Sequence, residues 1–133
     1  MLEVRNLSVH HGRAQLLFDL SFSARAGEVL VLVGRNGAGK STTLKAIMGL
    51  LPEVAGSVRF AGDEIGGRAP HHIARLGLGY VPEERRIFTD LTVAENLEVG
   101  RLPVRAQVTD APRWSVARVC ELFPKLGEML DRP

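Results

Sequence analysis

The run Gly34-Arg35-Asn36-Gly37-Ala38-Gly39-Lys40-Ser41-Thr42 fits G-x-x-x-x-G-K-[ST], the loop that wraps the phosphates of a nucleoside triphosphate. Its flanks supply the context the motif requires. Before it lies Glu28-Val29-Leu30-Val31-Leu32-Val33, a short, nearly unbroken apolar run that reads as a strand buried on both faces. After it, Leu44, Ile47, Met48 and Leu51 recur at helical spacing, with Pro52 expected to stop the helix.

The residue types set the chemistry. Gly34, Gly37 and Gly39 permit backbone conformations and close approaches that side chains obstruct, so successive amides turn toward phosphate oxygens. The helix expected to begin near Gly39 aims its positive dipole end and unsatisfied amides at the same anion. Lys40 adds a point charge for the β- and γ-phosphates, and Ser41 a hydroxyl for Mg²⁺. The expected nucleotide-binding set is therefore Gly34, Asn36, Gly37, Ala38, Gly39, Lys40, Ser41 and Thr42. A dinucleotide fingerprint does not fit, because Gly37-x-Gly39-x-x ends at Thr42 where a third glycine is required.

Composition narrows the class. The chain has 133 residues, enough for one domain with a core, and 17 basic against 15 acidic residues. That balance points away from nucleic acid as a partner. One cysteine, Cys120, excludes an internal disulfide and suits a reducing compartment. It reads as a small core residue on the last helix. The N-terminus enters strand-like alternation directly, without a leader pattern. No apolar stretch approaches the roughly 20 residues needed to span a bilayer, so a soluble protein is expected, reaching a membrane only through a partner.

Elsewhere, Leu2–Val9 and Leu16–Ala24 alternate apolar and polar residues around a turn at Gly12-Arg13, which predicts two antiparallel, half-exposed strands. A short hairpin is expected over residues 56–64, a helix over 70–76, and an apolar strand at Leu78-Gly79-Tyr80-Val81 closed by Pro82. Thr92 with Glu95 makes a capping box for a helix over 93–99. Residues 101–113 read as irregular. Ser115 caps a last helix with Val116, Val119, Cys120 and Phe123 on one stripe, expected to be core, and Trp114 beside Pro112 reads as a packing anchor. The doublets His10-His11 and His71-His72 lack the cysteine or acidic company of a metal site.

Loop, spacing and the run Gly79-Tyr80-Val81-Pro82-Glu83-Glu84-Arg85-Arg86-Ile87-Phe88-Thr89-Asp90-Leu91-Thr92-Val93-Ala94-Glu95-Asn96-Leu97 resemble the nucleotide-binding subunits of ABC transporters. More narrowly they resemble the LivF-type ATPase subunits of branched-chain amino-acid importers; Leu44-Lys45-Ala46-Ile47-Met48-Gly49-Leu50-Leu51-Pro52 points the same way. Urea importers and lipopolysaccharide-export ATPases share much of this wording. The resemblance implies an α/β P-loop NTPase fold: an antiparallel β subdomain plus a RecA-like core over residues 1–84, and the start of a helical subdomain over 85–133. It implies ATP and Mg²⁺ as cofactors, with Glu83 a second Mg²⁺ contact where most of the superfamily has glutamine. His11 stands where the family places an aromatic that stacks on adenine; read by itself, it is equally a plain loop residue. Residues 85–97 would face the groove that receives the permease's coupling helix; as plain charges, Arg85 and Arg86 read equally as a solvated pair. Transmembrane permease subunits and a second ATP-binding subunit are the implied partners, and the cytoplasmic face of the inner membrane the implied place.

An LSGGQ-like segment, an apolar strand ending in Asp-Glu and a switch histidine, which the family carries, do not occur in these residues. The implied whole is an ATPase that couples hydrolysis to branched-chain amino-acid uptake. The chain as given is expected to be a fragment or truncated product that holds nucleotide without efficient hydrolysis, with no catalytic residue of its own. Without the Asp-Glu strand, Val29–Val33 is expected to form an unpaired apolar edge. The competing class is a non-hydrolysing nucleotide-binding module. A small P-loop kinase would need an arginine-rich lid that Arg85-Arg86 alone does not supply.

Overall fold

A computed structural model of the chain describes residues 2–84, 86–101 and 114–132. Arg85, Pro112 and nearly all of the 101–113 segment lie outside the described residues. The chain divides into two compact units, Met1–Val81 and Pro82–Pro133.

The first unit is built on a four-stranded antiparallel sheet in the order β2-β1-β3-β4, from β1 (Leu2–His11), β2 (Ala14–Ala24), β3 (Val54–Phe60) and β4 (Asp63–Glu64). Both expected hairpins form. The β3–β4 turn places Ala61 and Gly62 at φ 52° and 95°, the doubly left-handed geometry whose twist matches the strands it joins. Simple alternation fails in β1, where Val4 and Leu7 are both buried although three residues apart. Asn6, at φ 50°, is the reason: it bulges, inserting one residue between them, and its amide donates to Ser21 Oγ at 2.8 Å. On β2, Asp19 takes φ 44° and donates its amide to Ser8 Oγ.

The inner face of this sheet carries Val4, Leu7, Val9, Leu17 and Val58 into the core, with Ile65 after β4. Ala46, Ile47 and Met48 from α1 (Lys40–Ile47) and its C-cap, and Ile73 from α2 (Pro70–Leu76), close it. Each of the valine, leucine, isoleucine and methionine side chains contributes about 1.5–3 kcal/mol by leaving water. Helix α2 matches its expected span, with Pro70 in the first turn and Gly77 left-handed at its end.

Three expectations need correction here. Pro52 does not stop α1; Gly49 does, earlier, at φ 67°. The Gly49 amide donates to Ala46 O and the Leu50 amide to Lys45 O, the paired bonds that close a helix over a left-handed residue. A Cβ there would run into the Arg68 carbonyl. Secondly, Glu28–Val33 is neither a strand nor buried: it carries no ladder hydrogen bonds, and Val29, Val31 and Val33 are 88%, 69% and 87% exposed. An apolar run reads as a strand only where another strand offers it donors and acceptors, and none among the described residues does. The expected edge strand therefore does not form, although its valines stand exposed. Thirdly, Leu78–Val81 makes no ladder either, although Leu78 and Tyr80 pack against the core.

The second unit has α3 (Val93–Val99), α4 (Val116–Leu122) and α5 (Pro124–Gly127). The capping box is present: Thr92 Oγ1 accepts from the Glu95 amide while Glu95 Oε2 accepts from the Thr92 amide. Two further orphan amides of α3, Val93 and Ala94, donate to the carbonyls of Arg132 and Leu130 at 2.8 and 2.9 Å. Ser115 caps α4, accepting from the Arg118 amide. The α4 stripe is not core, however. Val116, Val119 and Cys120 are half-buried and Phe123 is exposed. Trp114 is not a packing anchor: it is exposed, with the Arg118 guanidinium 5.4 Å from its ring centroid. Among the described residues, every fully buried side chain belongs to the first unit.

Candidate nucleotide-binding site

The loop of residues 34–39 leads into α1 with Gly39 as its N-cap. Gly37 and Gly39 take φ 85° and 90°, left-handed values that glycine adopts without strain, and a Cβ on Gly39 would collide with Leu17 of β2. Thr43, almost fully buried, fastens this point: its amide and its hydroxyl both donate to Gly39 O at 2.8 Å. The sequence reading overlooked Thr43. Its only signal is its place four residues beyond Gly39, one helical turn, where a hydroxyl bonds back to the backbone.

Ala38 closes the turn by donating its amide to Arg35 O at 3.1 Å. Among the described residues, no backbone hydrogen bond uses the amides of Gly37, Gly39, Lys40, Ser41 or Thr42. A run of unspent N–H groups at a helix N-terminus is an anion-binding geometry, reinforced by the helix dipole. Half-buried Lys40 folds over the loop, its Nζ donating to Gly34 O at 2.7 Å and Arg35 O at 2.9 Å. An ammonium has three protons, so one remains for a ligand oxygen. Gly34, Asn36 and Ser41 are exposed and approachable. Beside the loop, a hollow of about 290 Å³ is lined by Leu16, Leu17, Phe18, Leu32 and Val33 together with Lys40 and Thr43.

His11 is the last residue of β1, exposed and paired with Ala14 across the hairpin turn. It belongs to the same unit as the loop. Glu83 is exposed and belongs to the second unit, whereas Ser41 belongs to the first. In the second unit Asn96, on α3, accepts from the Phe88 amide at 2.9 Å and donates to the carbonyls of Phe88, Leu91 and Thr92 at 3.0–3.2 Å. Together they pin the preceding loop along a groove of about 860 Å³, lined by Ile87, Phe88, Leu91, Leu97, Val99 and Leu126.

A glycine-rich loop, open amides at a helix N-terminus and a lysine folded across them define a P-loop nucleotide-binding protein. The model of the ABC transporter family matches residues 17–132, and the chain belongs to that family. It is 39% identical over 134 residues to the high-affinity branched-chain amino acid transport ATP-binding protein BraG of Pseudomonas aeruginosa, covering 99% of this chain and 55% of that one. The probable branched-chain amino acid transport ATP-binding protein LivF of Archaeoglobus fulgidus is 33% identical over 133 residues, again 99% and 55%. The arabinose import ATP-binding protein AraG 2 of Burkholderia thailandensis is 39% identical over 130 residues, 98% of this chain but 25% of that one. Among solved structures, a nucleotide-free ATP-binding cassette from an ABC transporter aligns with a TM-score of 0.72 at 26% identity, covering 99% of this chain and 56% of that one. The chain thus spans about half the length of the branched-chain relatives it matches.

Proposed function

We propose that this chain is the nucleotide-gripping part of an ATP-binding subunit whose whole couples MgATP binding and hydrolysis to branched-chain amino-acid import. The observation that carries the reading is the loop itself: amides that make no backbone hydrogen bond stand in the same loop over which Lys40 Nζ folds back. In this reading the amides of residues 37–42 and Lys40 hold the phosphates. Ser41 Oγ and the Glu83 carboxylate are hard oxygen donors of the kind Mg²⁺ takes, and His11 stacks on adenine. Mg²⁺ would neutralise charge on the phosphates. The groove along Ile87 and Phe88 is apolar and exposed, which suits a helix from a permease subunit; a second ATP-binding subunit would complete the assembly.

BraG and LivF favour branched-chain amino acids, since each aligns over 55% of its length and both carry that solute in their names. AraG 2, as similar per residue, supports a sugar as the second reading. Uptake assays decide between them. Deleting the gene should lower uptake of labelled leucine, isoleucine and valine and spare arabinose. Loss of arabinose uptake with leucine unchanged would assign the subunit to a sugar importer.

A further inference from the structure

Glu53 grips the chain on both sides of His11. Its backbone carbonyl accepts the His10 amide at 3.0 Å, and its carboxylate Oε2 accepts the Gly12 amide at 3.0 Å. The first bond extends the β1–β3 pairing, in which Val9 faces Val54. The second is of another kind. It reaches across 41 residues of sequence to the hairpin tip, where Gly12 takes φ 59° and, among the described residues, His11 pairs in the sheet with Ala14 alone. Such a tip is where a strand pair frays first, and His11, Gly12 and Arg13 are all exposed. A carboxylate on the Gly12 amide is a charge-assisted bond, stronger than a neutral one.

We propose that Glu53 is a positioning residue for nucleobase recognition: by holding both neighbours of His11 it presets the imidazole for stacking on adenine. This rests on the reading of His11 given above. It concerns the base and not the phosphates, which the loop of residues 34–42 holds by its own amides. An ordered ring loses less freedom on binding, and the benefit falls only on ligands that carry a base.

The test compares ATP with inorganic tripolyphosphate, each with Mg²⁺, titrated against the 133-residue chain and three variants. Glu53→Ala should weaken ATP about three- to tenfold, the worth of one such hydrogen bond, and leave tripolyphosphate unchanged. Glu53→Gln keeps a carbonyl oxygen for the Gly12 amide and should retain most of the affinity for ATP. His11→Ala should lose the preference for ATP over tripolyphosphate. If Glu53→Ala weakens both ligands alike, Glu53 is a general staple and the proposal fails. It fails too if Glu53→Gln loses as much as Glu53→Ala. His11→Ala losing the preference while Glu53→Ala keeps it overturns the proposal alone. An unchanged preference in His11→Ala overturns the adenine reading, and the proposal with it.

Discussion

Lys40 spends two of its three protons on the carbonyls of Gly34 and Arg35, so its charge is already aimed before any ligand arrives. Gly39 and Thr43 form the other half of this device. The glycine turns left-handed where Leu17 leaves no room for a side chain, and the threonine ties its carbonyl to the first turn of α1. Thr43→Val keeps the shape and removes the hydroxyl, leaving Gly39 O with the Thr43 amide alone. It should cost about 1 kcal/mol of stability, read as a lowered urea midpoint. Gly39→Ala should do more harm, because strain at φ 90° adds to the clash with Leu17; about 1–3 kcal/mol is expected from the same titration. The glycines and the lysine were legible in the sequence because their motif is local. Thr43 and Glu53 were not: one lies just past the pattern, and the other acts on a turn far away in the chain.

Among the elements, those with local instructions followed them. The Thr92–Glu95 box starts α3, Ser115 starts α4, Pro70 opens α2, and turns at Gly12-Arg13 and Ala61-Gly62 close the hairpins. What needs a distant partner departs from the expectation. Glu28–Val33 has strand composition, yet strand is a relation between segments, and no described segment pairs with it. The bulge at Asn6 likewise depends on Ser21 of the neighbouring strand. In the second unit, where no described residue is fully buried, hydrogen bonds bear more of the burden, and Asn96 supplies four around the loop before α3. Asn96→Ala should open that loop. Limited chymotrypsin digestion should then cut near Phe88 faster than in the unchanged chain, while fragments from the first unit persist; equal rates would deny Asn96 this role.

At the scale of the molecule, the first unit carries a packed sheet-and-helix core and an apolar run whose valines no described residue covers. Val29, Val31 and Val33 exposed together should make the 133-residue chain self-associate, and Val29→Lys with Val31→Lys should reduce light scattering at equal concentration. Acid should weaken the fold through two carboxylates. Burial opposes ionisation of Glu64, but bonds from Ser57 Oγ and the amides of Val58 and Gly66, with the charge of Arg59, hold its carboxyl below the usual 4.5. The Thr92 amide and hydroxyl do the same for Glu95. A depressed folded-state value means their stabilisation is present above about pH 4.5 and lost as pH falls through the lowered values, so acid unfolding should begin in that window. Glu64→Gln should flatten it. Function divides between gripping the nucleotide and cleaving it. With no apolar strand ending in Asp-Glu in these 133 residues, ATP hydrolysis should run no faster than in a Lys40→Ala control. Binding is a separate matter, because the loop needs only its own amides and Lys40. The most direct test is calorimetric titration of the 133-residue chain with MgATP, beside Lys40→Ala. Saturable binding that the substitution weakens about ten- to a hundredfold is the predicted result. Equal affinity in the two proteins would contradict it.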